Sequence, residues 1–249
     1  MPELDTVTLL VIAAGFAVGG LAKGTFGLGM PLLAMPVLVT VLPYQIAVSL
    51  FLVPNFTANF QQAVRKGLWR QNLKRFFWLL AAMLVTIPFV VQILVRIEQE
   101  TGLLILGLIS LVFVATQVMP VKLSIPAAWE KIGNPVTGVL AGILCGLSGL
   151  YGPILIVYLM GLRVPKDEFV SALALMYFLG SFPLYGSLAY EGVLTTDVAA
   201  VSVVGAVIIG LMIVVGQKIR DRMEEERYRK LLLTLLFLIG CDLLRRSLM

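Results

Sequence analysis

The sequence predicts an all-α polytopic membrane protein built from two inverted repeats, each with a glycine-broken re-entrant helical hairpin and about three transmembrane helices. Of its 249 residues, 59% are apolar and only 13% are charged, roughly half the charged share of a soluble chain. Apolar stretches run for about 14 to 20 residues, close to the length of a helix that crosses the hydrocarbon layer. A β-barrel would instead show alternating strands of about ten residues. A glycine-rich motif also occurs twice.

The charge pattern excludes several classes of function. The net charge of +5 comes from basic residues in short loops between apolar segments, which indicates membrane topology and no nucleic-acid partner. The chain has no histidine, and its only cysteines are Cys145 and Cys241. Metal centres, haem ligation and histidine acid–base chemistry therefore lack their usual groups. We expect no enzymatic activity, no cofactor and no metal.

The first half begins with acidic residues and no basic ones, unlike a cleaved signal peptide, so we expect the first apolar run to stay in the mature protein. Its apolar runs fall at about 6–22, 30–42, 46–60, 76–95 and 102–118. The run at 30–42 follows the break from Gly24 to Gly29 and is too short to cross a membrane alone.

The second half shows the same order. Its apolar runs fall at about 135–147, 153–160, 169–185, 198–215 and 231–244. The short run at 153–160 follows the break from Gly146 to Gly152. Each half is therefore predicted to open with a helix, a glycine-rich break and a shorter helix.

The two halves match at an offset of 122 residues. The windows from Gly19 to Leu33 and from Ala141 to Leu155 share six identities, where average composition gives roughly one. The identities are Gly20/Gly142, Gly24/Gly146, Gly27/Gly149, Leu28/Leu150, Pro31/Pro153 and Leu33/Leu155. We predict a first repeat at 1–118, a linker at 119–134 and a second repeat at 135–249.

Basic residues predict the orientation of the repeats. If each glycine-broken unit crossed once, nine Lys and Arg residues would lie on each face. If each is a hairpin that returns to its own side, the loops at 61–75, 119–134, 161–168 and 216–230 share a face with fifteen of the nineteen basic residues, against three on the other. The positive-inside rule favours hairpins, with both termini outside. Three crossings per half then invert the second repeat, as in many secondary transporters.

The hairpin tips are the candidate site. Pro31 and Pro153 stand where each second arm begins, a position where proline removes no helix hydrogen bond. The free amides around Gly29, Met30, Tyr151 and Gly152 would then point inward near the midplane, and opposed helix N-termini favour an anion. The alternative is that the glycines only permit close helix packing.

Other side chains near the tips have two interpretations each. Lys23 either strengthens anion binding or extends its ammonium to the interface. Cys145, its counterpart, is either a small packing residue or a substrate contact. The hydroxyls of Thr25, Ser148 and Tyr151 can donate to an anion. The alternative for Thr25 and Ser148 is a hydrogen bond to their own helix backbone.

Polar residues of the next segment are predicted to line the path. Asn55 and Asn59 lie one helical turn apart, and Tyr177, Ser181 and Tyr185 occupy the corresponding region of the second half. A helix-to-helix hydrogen bond and interfacial tyrosines are the alternatives. The predicted substrate-binding residues are Lys23, Gly24, Thr25, Gly27, Gly29, Met30, Asn55, Asn59, Cys145, Gly146, Ser148, Gly149, Tyr151, Gly152 and Tyr177.

The apolar runs contain no Asp or Glu in their cores, so no proton-coupling carboxylate is apparent. An anion that leaves a negative cell interior needs none, because each unit charge gains about 2.3 kcal/mol per 100 mV. The sequence therefore favours export.

The motif Gly-x-x-x-Gly-x-x-Gly-x-Gly-x-Pro at Gly20 to Pro31, with a second copy at Gly142 to Pro153 in which Tyr151-Gly152 stands in place of Gly29-Met30, resembles the sulfite exporter TauE/SafE family. The resemblance covers essentially the whole chain. It implies a multi-pass transporter of the bacterial inner membrane that exports sulfite, sulfoacetate or related organosulfonates. An ion-coupled importer and a non-transporting membrane scaffold are the alternatives. The expected partners are a small anion and the lipid bilayer, with a homo-oligomer left open.

Overall fold

A computed structural model of the chain describes residues 5–26, 30–118, 124–220, 222 and 225–248, without the side chains of residues 26, 65, 127, 225–229 and 232. Within these ranges the regular structure is helical, and the all-α prediction is confirmed. The helices are α1 (Thr6–Phe26), α2 (Met30–Leu38), α3 (Tyr44–Ser49), α4 (Leu52–Val64), α5 (Trp69–Arg75), α6 (Phe77–Leu94), α7 (Gln99–Val118), α8 (Glu130–Ser148), α9 (Gly152–Gly161), α10 (Lys166–Tyr190), α11 (Thr196–Arg220) and α12 (Glu225–Ser247).

Five helices are long and apolar enough to cross a membrane, judged by length and composition. They are α1 over Thr6–Thr25, α6, α7, α10 and α11. Helix α9 is also apolar but shorter, with ten residues. The chain is therefore a multi-pass membrane protein.

Helix bounds repeat at the offset of the sequence identities. Adding 122 to the residue numbers carries α1 onto α8, α2 onto α9, α6 onto α11 and α7 onto α12. The single helix α10 corresponds to α3 and α4 together. The order of helices thus occurs twice along the chain.

The chain divides into two compact units that do not coincide with the sequence repeats. Unit 1 comprises Met1–Pro54, Ile97–Met119 and Leu194–Met249, and unit 2 comprises Asn55–Arg96 and Pro120–Val193. Each unit therefore contains helices from both halves of the sequence. The repeat boundaries stay a prediction about the sequence.

In unit 1 the first hairpin packs on itself and on α11. A Cβ added to Gly19 would lie 3.0 Å from the Cβ of Ala34, and one added to Gly15 would lie 2.9 Å from Leu38, so α2 runs back along α1. Gly20 contacts Ile209 of α11 in the same way. These small residues let the helix backbones approach closely.

A break between α3 and α4 is bridged by one side chain of α11. The Ser202 hydroxyl donates to the carbonyl oxygen of Leu50 at 2.9 Å and accepts from the amide of Val53 at 2.9 Å. Both backbone groups flank the break, and backbone groups away from water need hydrogen-bond partners. Ser202 is fully buried and satisfies both.

In unit 2, α8 lies along α6 through a stripe of glycines. Added Cβ atoms would overlap the Leu79 carbonyl at Gly138, lie 2.7 Å from the Cβ of Thr86 at Gly142, and lie 2.6 Å from the Cβ of Val90 at Gly146. The residue numbers rise together along both helices, so α8 and α6 are parallel. This arrangement matches the contact of α1 with α11 in unit 1.

The second hairpin returns to the end of unit 2 from which it starts. The Ile125 amide, ahead of α8, donates to the Gly161 carbonyl at the end of α9 at 2.8 Å. The Tyr158 hydroxyl donates to Oδ1 of Asn134 at 2.8 Å. The two arms are therefore antiparallel, as the hairpin interpretation requires.

Ion pairs connect the three loops at 61–75, 119–134 and 161–168 at this end of unit 2. The Arg75 guanidinium bonds Glu130 at 2.7 Å and Glu168 at 2.8 Å, and Lys66 pairs with Asp167 at 2.7 Å. The carboxylates of Glu130 and Glu168 raise the pKa of Arg75 above its usual value. In unit 2 these contacts place the residues that follow α9 beside Arg75. The membrane face on which this end lies stays a prediction.

Cysteine labelling tests this sidedness in cells. In a Cys241→Ser background, Lys66→Cys and Lys166→Cys should both resist an impermeant thiol reagent in intact cells, while Glu191→Cys reacts. The reason is that Lys66 and Lys166 lie at the end that carries the basic loops, and Glu191 follows the other end of α10. Labelling of positions 66 and 166 from opposite sides would contradict the hairpin. Cys145 is buried and can stay.

Candidate functional site

Neutral polar side chains from four segments meet inside unit 2. We call this set the polar cluster: Asn55 of α4, Cys145 of α8, Tyr151 of the glycine-rich break, and Tyr177, Ser181 and Tyr185 of α10. Five of the six are buried, and Tyr177 is partly exposed. Tyr177 is the twelfth of the 25 residues of α10, so its side chain lies near the middle of a helix long and apolar enough to cross a membrane.

Asn55 connects α4 with α10. Its Nδ2 donates to the Tyr185 hydroxyl at 2.8 Å. One turn further along, Nδ2 of Asn59 donates to the backbone carbonyl of Asn55 at 2.8 Å. Asn55 therefore forms the helix-to-helix hydrogen bond that was the alternative to lining the path. The Tyr185 hydroxyl receives this bond through a lone pair and keeps its own proton for another acceptor.

Tyr151 joins the break to α10. Its hydroxyl donates to the Tyr177 carbonyl at 2.9 Å, and the Ser181 hydroxyl donates to the same carbonyl at 2.8 Å. The rings of Tyr151 and Tyr177 meet edge to face, with centroids 4.7 Å apart. The Cys145 thiol lies beside the Tyr151 hydroxyl. These contacts fix the position of the break relative to the middle of α10.

Two residues of the break shape its backbone. Gly149 ends α8 with φ of 67°, in the left-handed region that a side chain disfavours. Its amide donates to the Cys145 carbonyl at 2.7 Å. The Ser148 hydroxyl donates to the Leu144 carbonyl at 2.7 Å and accepts from the Leu150 amide at 3.1 Å. Both residues therefore stabilise the turn, and contact with a ligand stays a prediction for them.

The Tyr177 hydroxyl lies against the first turn of α9. A Cβ added to Gly152 would overlap this oxygen, so only glycine leaves room for it there. Among the described residues, the hydrogen bonds of Tyr177 use its carbonyl and none uses its hydroxyl. Pro153 follows at the helix start and contributes no amide of its own. The hydroxyl thus lies close to the backbone of Gly152 at the start of α9.

Gly24 and Gly146 face neighbouring helices. A Cβ on Gly24 would overlap the Ile213 carbonyl of α11, and one on Gly146 would lie 2.6 Å from Val90 of α6. The packing interpretation of these two glycines is what the contacts show. A direct role in ligand binding stays a prediction.

The predicted residues of the first hairpin belong to unit 1. Lys23 is buried, with 8% of its surface exposed. The Thr25 hydroxyl donates to the Leu21 carbonyl of its own helix at 2.5 Å. Met30 is buried, and its carbonyl lies against Gly19. Gly27 and Gly29 lie outside the described residues.

Two members of the polar cluster, Ser181 and Tyr185, were predicted to line the path but are not among the predicted substrate-binding residues. Ser181 and Tyr185 follow Tyr177 at intervals of four residues, which places all three on one face of α10. This four-residue spacing in the sequence could have identified both residues as neighbours of Tyr177. Tyr185 is 3% exposed, so it is no interfacial anchor, whereas Tyr190 is 90% exposed and fits that role.

The chemistry of the polar cluster suits an anion. Phenol hydroxyls and helix-start amides donate hydrogen bonds, and the N-terminus of α9 adds a partial positive charge. Among the described residues, no group of three or more acidic, cysteine or histidine side chains is placed to hold a metal ion.

Comparisons with known proteins agree with the resemblance seen in the sequence. The model of one protein family, described as Sulfite exporter TauE/SafE, matches residues 11–243. Searches of curated proteins and of solved structures each gave no match.

Proposed function

Because the chain belongs to the TauE/SafE sulfite exporter family, we propose that it exports small sulfur-containing anions, such as sulfite, sulfoacetate or a related organosulfonate, across the bacterial inner membrane. The family is one of membrane transporters, and the five apolar helices agree with that activity. The partners we propose are the transported anion and the surrounding lipid.

The observation that carries the proposal is the Tyr177 hydroxyl at the start of α9. A hydrogen-bond donor and a helix N-terminus converge in the middle of a spanning helix, where irregular backbone is tolerated only if it lines a cavity or is covered by protein. A scaffold has no need of such a break, since continuous helices satisfy their own backbone. In transporters, broken helices supply the substrate site.

Inverted repeats are the architecture we propose, and the ring contacts between α4 and α10 support it. We call Phe56, Phe60, Phe178 and Phe182 the phenylalanine quartet; Phe178 and Phe182 are Phe56 and Phe60 shifted by 122. Phe56 contacts Phe182 at 4.8 Å between ring centroids, and Phe60 contacts Phe178 at 5.3 Å. Exchanging the repeats turns one contact into the other, as across a two-fold axis.

The direction of these contacts supports a two-fold axis in the membrane plane. Residue numbers rise along α4 as they fall along α10, so two corresponding helices are antiparallel. An axis that relates antiparallel membrane helices runs in the membrane plane, which is the inverted-topology arrangement. In unit 1, the corresponding helices α7 and α12 also run antiparallel, because Gly107 lies against Leu244 while Leu111 lies against Gly240.

Efflux from proteoliposomes tests direction and substrate together. Vesicles loaded with sulfite or sulfoacetate should release the anion faster when a potassium gradient and valinomycin make the interior negative, without added sodium or proton gradients. The potential supplies about 2.3 kcal/mol per unit charge at 100 mV. Uptake that requires sodium or protons would show the ion-coupled importer instead. Absence of movement with folded protein would favour the scaffold.

A further inference from the structure

We propose that the basic end of unit 2 binds the negatively charged headgroup of an anionic phospholipid of the surrounding bilayer, with Lys74 and Lys131 as its cationic contacts. The inference goes beyond the proposed function, because it concerns a lipid that stays at the surface and is not transported. It follows from the ion pairs at this end of the unit and from the apolar side chains exposed beside them.

The carboxylates nearest to these two lysines are already paired. Arg75 bonds both Glu130 and Glu168. Lys74 and Lys131 each adjoin a member of this network in the chain, so the Arg75–Glu130 bond holds both at the same end. Both lysines are exposed, and neither forms an ion pair within the part of the chain that the structure describes. Two positive charges are therefore left for an external partner.

Next to these lysines, α6 and α8 expose two rows of apolar side chains. The helices run parallel and side by side, as the contacts of the α8 glycines with α6 show. We call the exposed side chains the apolar rows: Trp78, Val85, Phe89 and Ile93 on α6, and Ile132, Val136, Leu140 and Ile143 on α8. Successive members are three, four or seven residues apart, so each row follows one face of its helix. Lys74 and Lys131 precede the first members by four residues and one residue.

Aromatic side chains mark the level of the lipid headgroups at this end. Trp78 and Trp129 are 65% and 61% exposed, and the Arg70 guanidinium lies 5.1 Å from the centroid of the Trp69 ring. Tryptophan is enriched where the hydrocarbon layer meets the headgroups. Lysine side chains that start at this level pack their stems on apolar surface and extend their ammonium groups among the headgroups.

An anionic phospholipid complements both parts of this surface. Its acyl chains cover the apolar rows, and its headgroup supplies the negative charge that Lys74 and Lys131 lack. A zwitterionic lipid would bring no net counter-charge, and a free anion would leave the apolar rows uncovered. Each basic residue near an anionic membrane surface strengthens the association about fivefold, so two lysines together should give a preference of about twentyfold.

Melting temperatures of the purified full-length protein in detergent test the inference, because a lipid that binds the folded state raises the melting temperature. Dioleoylphosphatidylglycerol should produce the same rise as dioleoylphosphatidylcholine, which has the same acyl chains, at about twentyfold lower concentration. Lys74→Gln/Lys131→Gln should lose most of this preference. Its melting temperature without added lipid should stay unchanged, since both lysines are exposed and form no ion pair.

Arg163→Gln/Lys166→Gln is the matched control. It also removes two exposed positive charges from this end of unit 2, but neither residue lies on α6 or α8. This variant should keep the preference, as should Lys74→Arg/Lys131→Arg, which retains both charges. Equal effects of the two lipids on the unmodified protein, or an equal loss in the two glutamine variants, would overturn the proposal. An equal rise with soluble glycerol phosphate would also overturn it, because the lysines would then bind a free anion.

Discussion

Gly138→Val should remove most of the folded protein from the membrane. The added Cβ would overlap the Leu79 carbonyl of α6 and lie 3.0 Å from the Cβ of Ala82. The backbone of α6 cannot move aside as a flexible side chain can. The loss in the free energy of unfolding should therefore exceed the roughly 1–3 kcal/mol of ordinary overpacking. The measurement is the yield of monodisperse protein in detergent, followed by its melting temperature.

Gly186→Val is the matched control. Gly186 is also a helical glycine of unit 2, but nothing lies within 4 Å of an added Cβ. Both substitutions change helix propensity and hydrophobicity equally, so a difference between them reports packing. Equal yield and melting temperature in the two variants would show that α8 and α6 are not closely packed.

Tyr177→Phe should raise the dissociation constant of the transported anion about tenfold or more, since a hydrogen bond to a charged group is worth about 1.5–3 kcal/mol. Folding should be preserved. The ring stays in contact with Tyr151, and the bonds from Tyr151 and Ser181 go to the backbone carbonyl of residue 177, which the substitution retains. Calorimetric titration with sulfite or methanesulfonate measures the change.

Tyr190→Phe removes the same hydroxyl from the same helix at a position that is 90% exposed. It should leave affinity and melting temperature unchanged. If Tyr177→Phe also binds the anion as the unmodified protein does, the hydroxyl at the start of α9 is not a ligand, and the proposed site loses its main support.

Hairpins and helix breaks could be predicted from sequence because they depend on local chemistry. Gly149 was expected at a break, and it does adopt a positive φ, a conformation that the residue type itself favours. The return of the second hairpin was predicted from the distribution of basic loops. The pairing of Lys66 with Asp167 agrees with it, since loops on one face of a membrane can meet.

The roles of individual site residues were harder to predict. Thr25 and Ser148 carry hydroxyls suited to an anion, yet both bond carbonyls of their own helices. Tyrosine is a residue type typical of interfacial anchors, but Tyr185 is buried and hydrogen-bonded to Asn55. In each case the deciding partner is a backbone group or a residue far away in sequence, which spacing along one helix does not specify.

The sequence by itself determined the helical membrane class, the doubled order of helices and the returning hairpins, because apolar length, glycine conformation and loop charge act locally or through the bilayer. Only the tertiary structure decided which neighbour each face meets. It placed Gly24 against Ile213, Gly146 against Val90 and the Tyr177 hydroxyl against Gly152. A helix repeats its faces every 3.6 residues whatever lies beside it, so the same glycine pattern serves packing or binding until the opposing atoms are known.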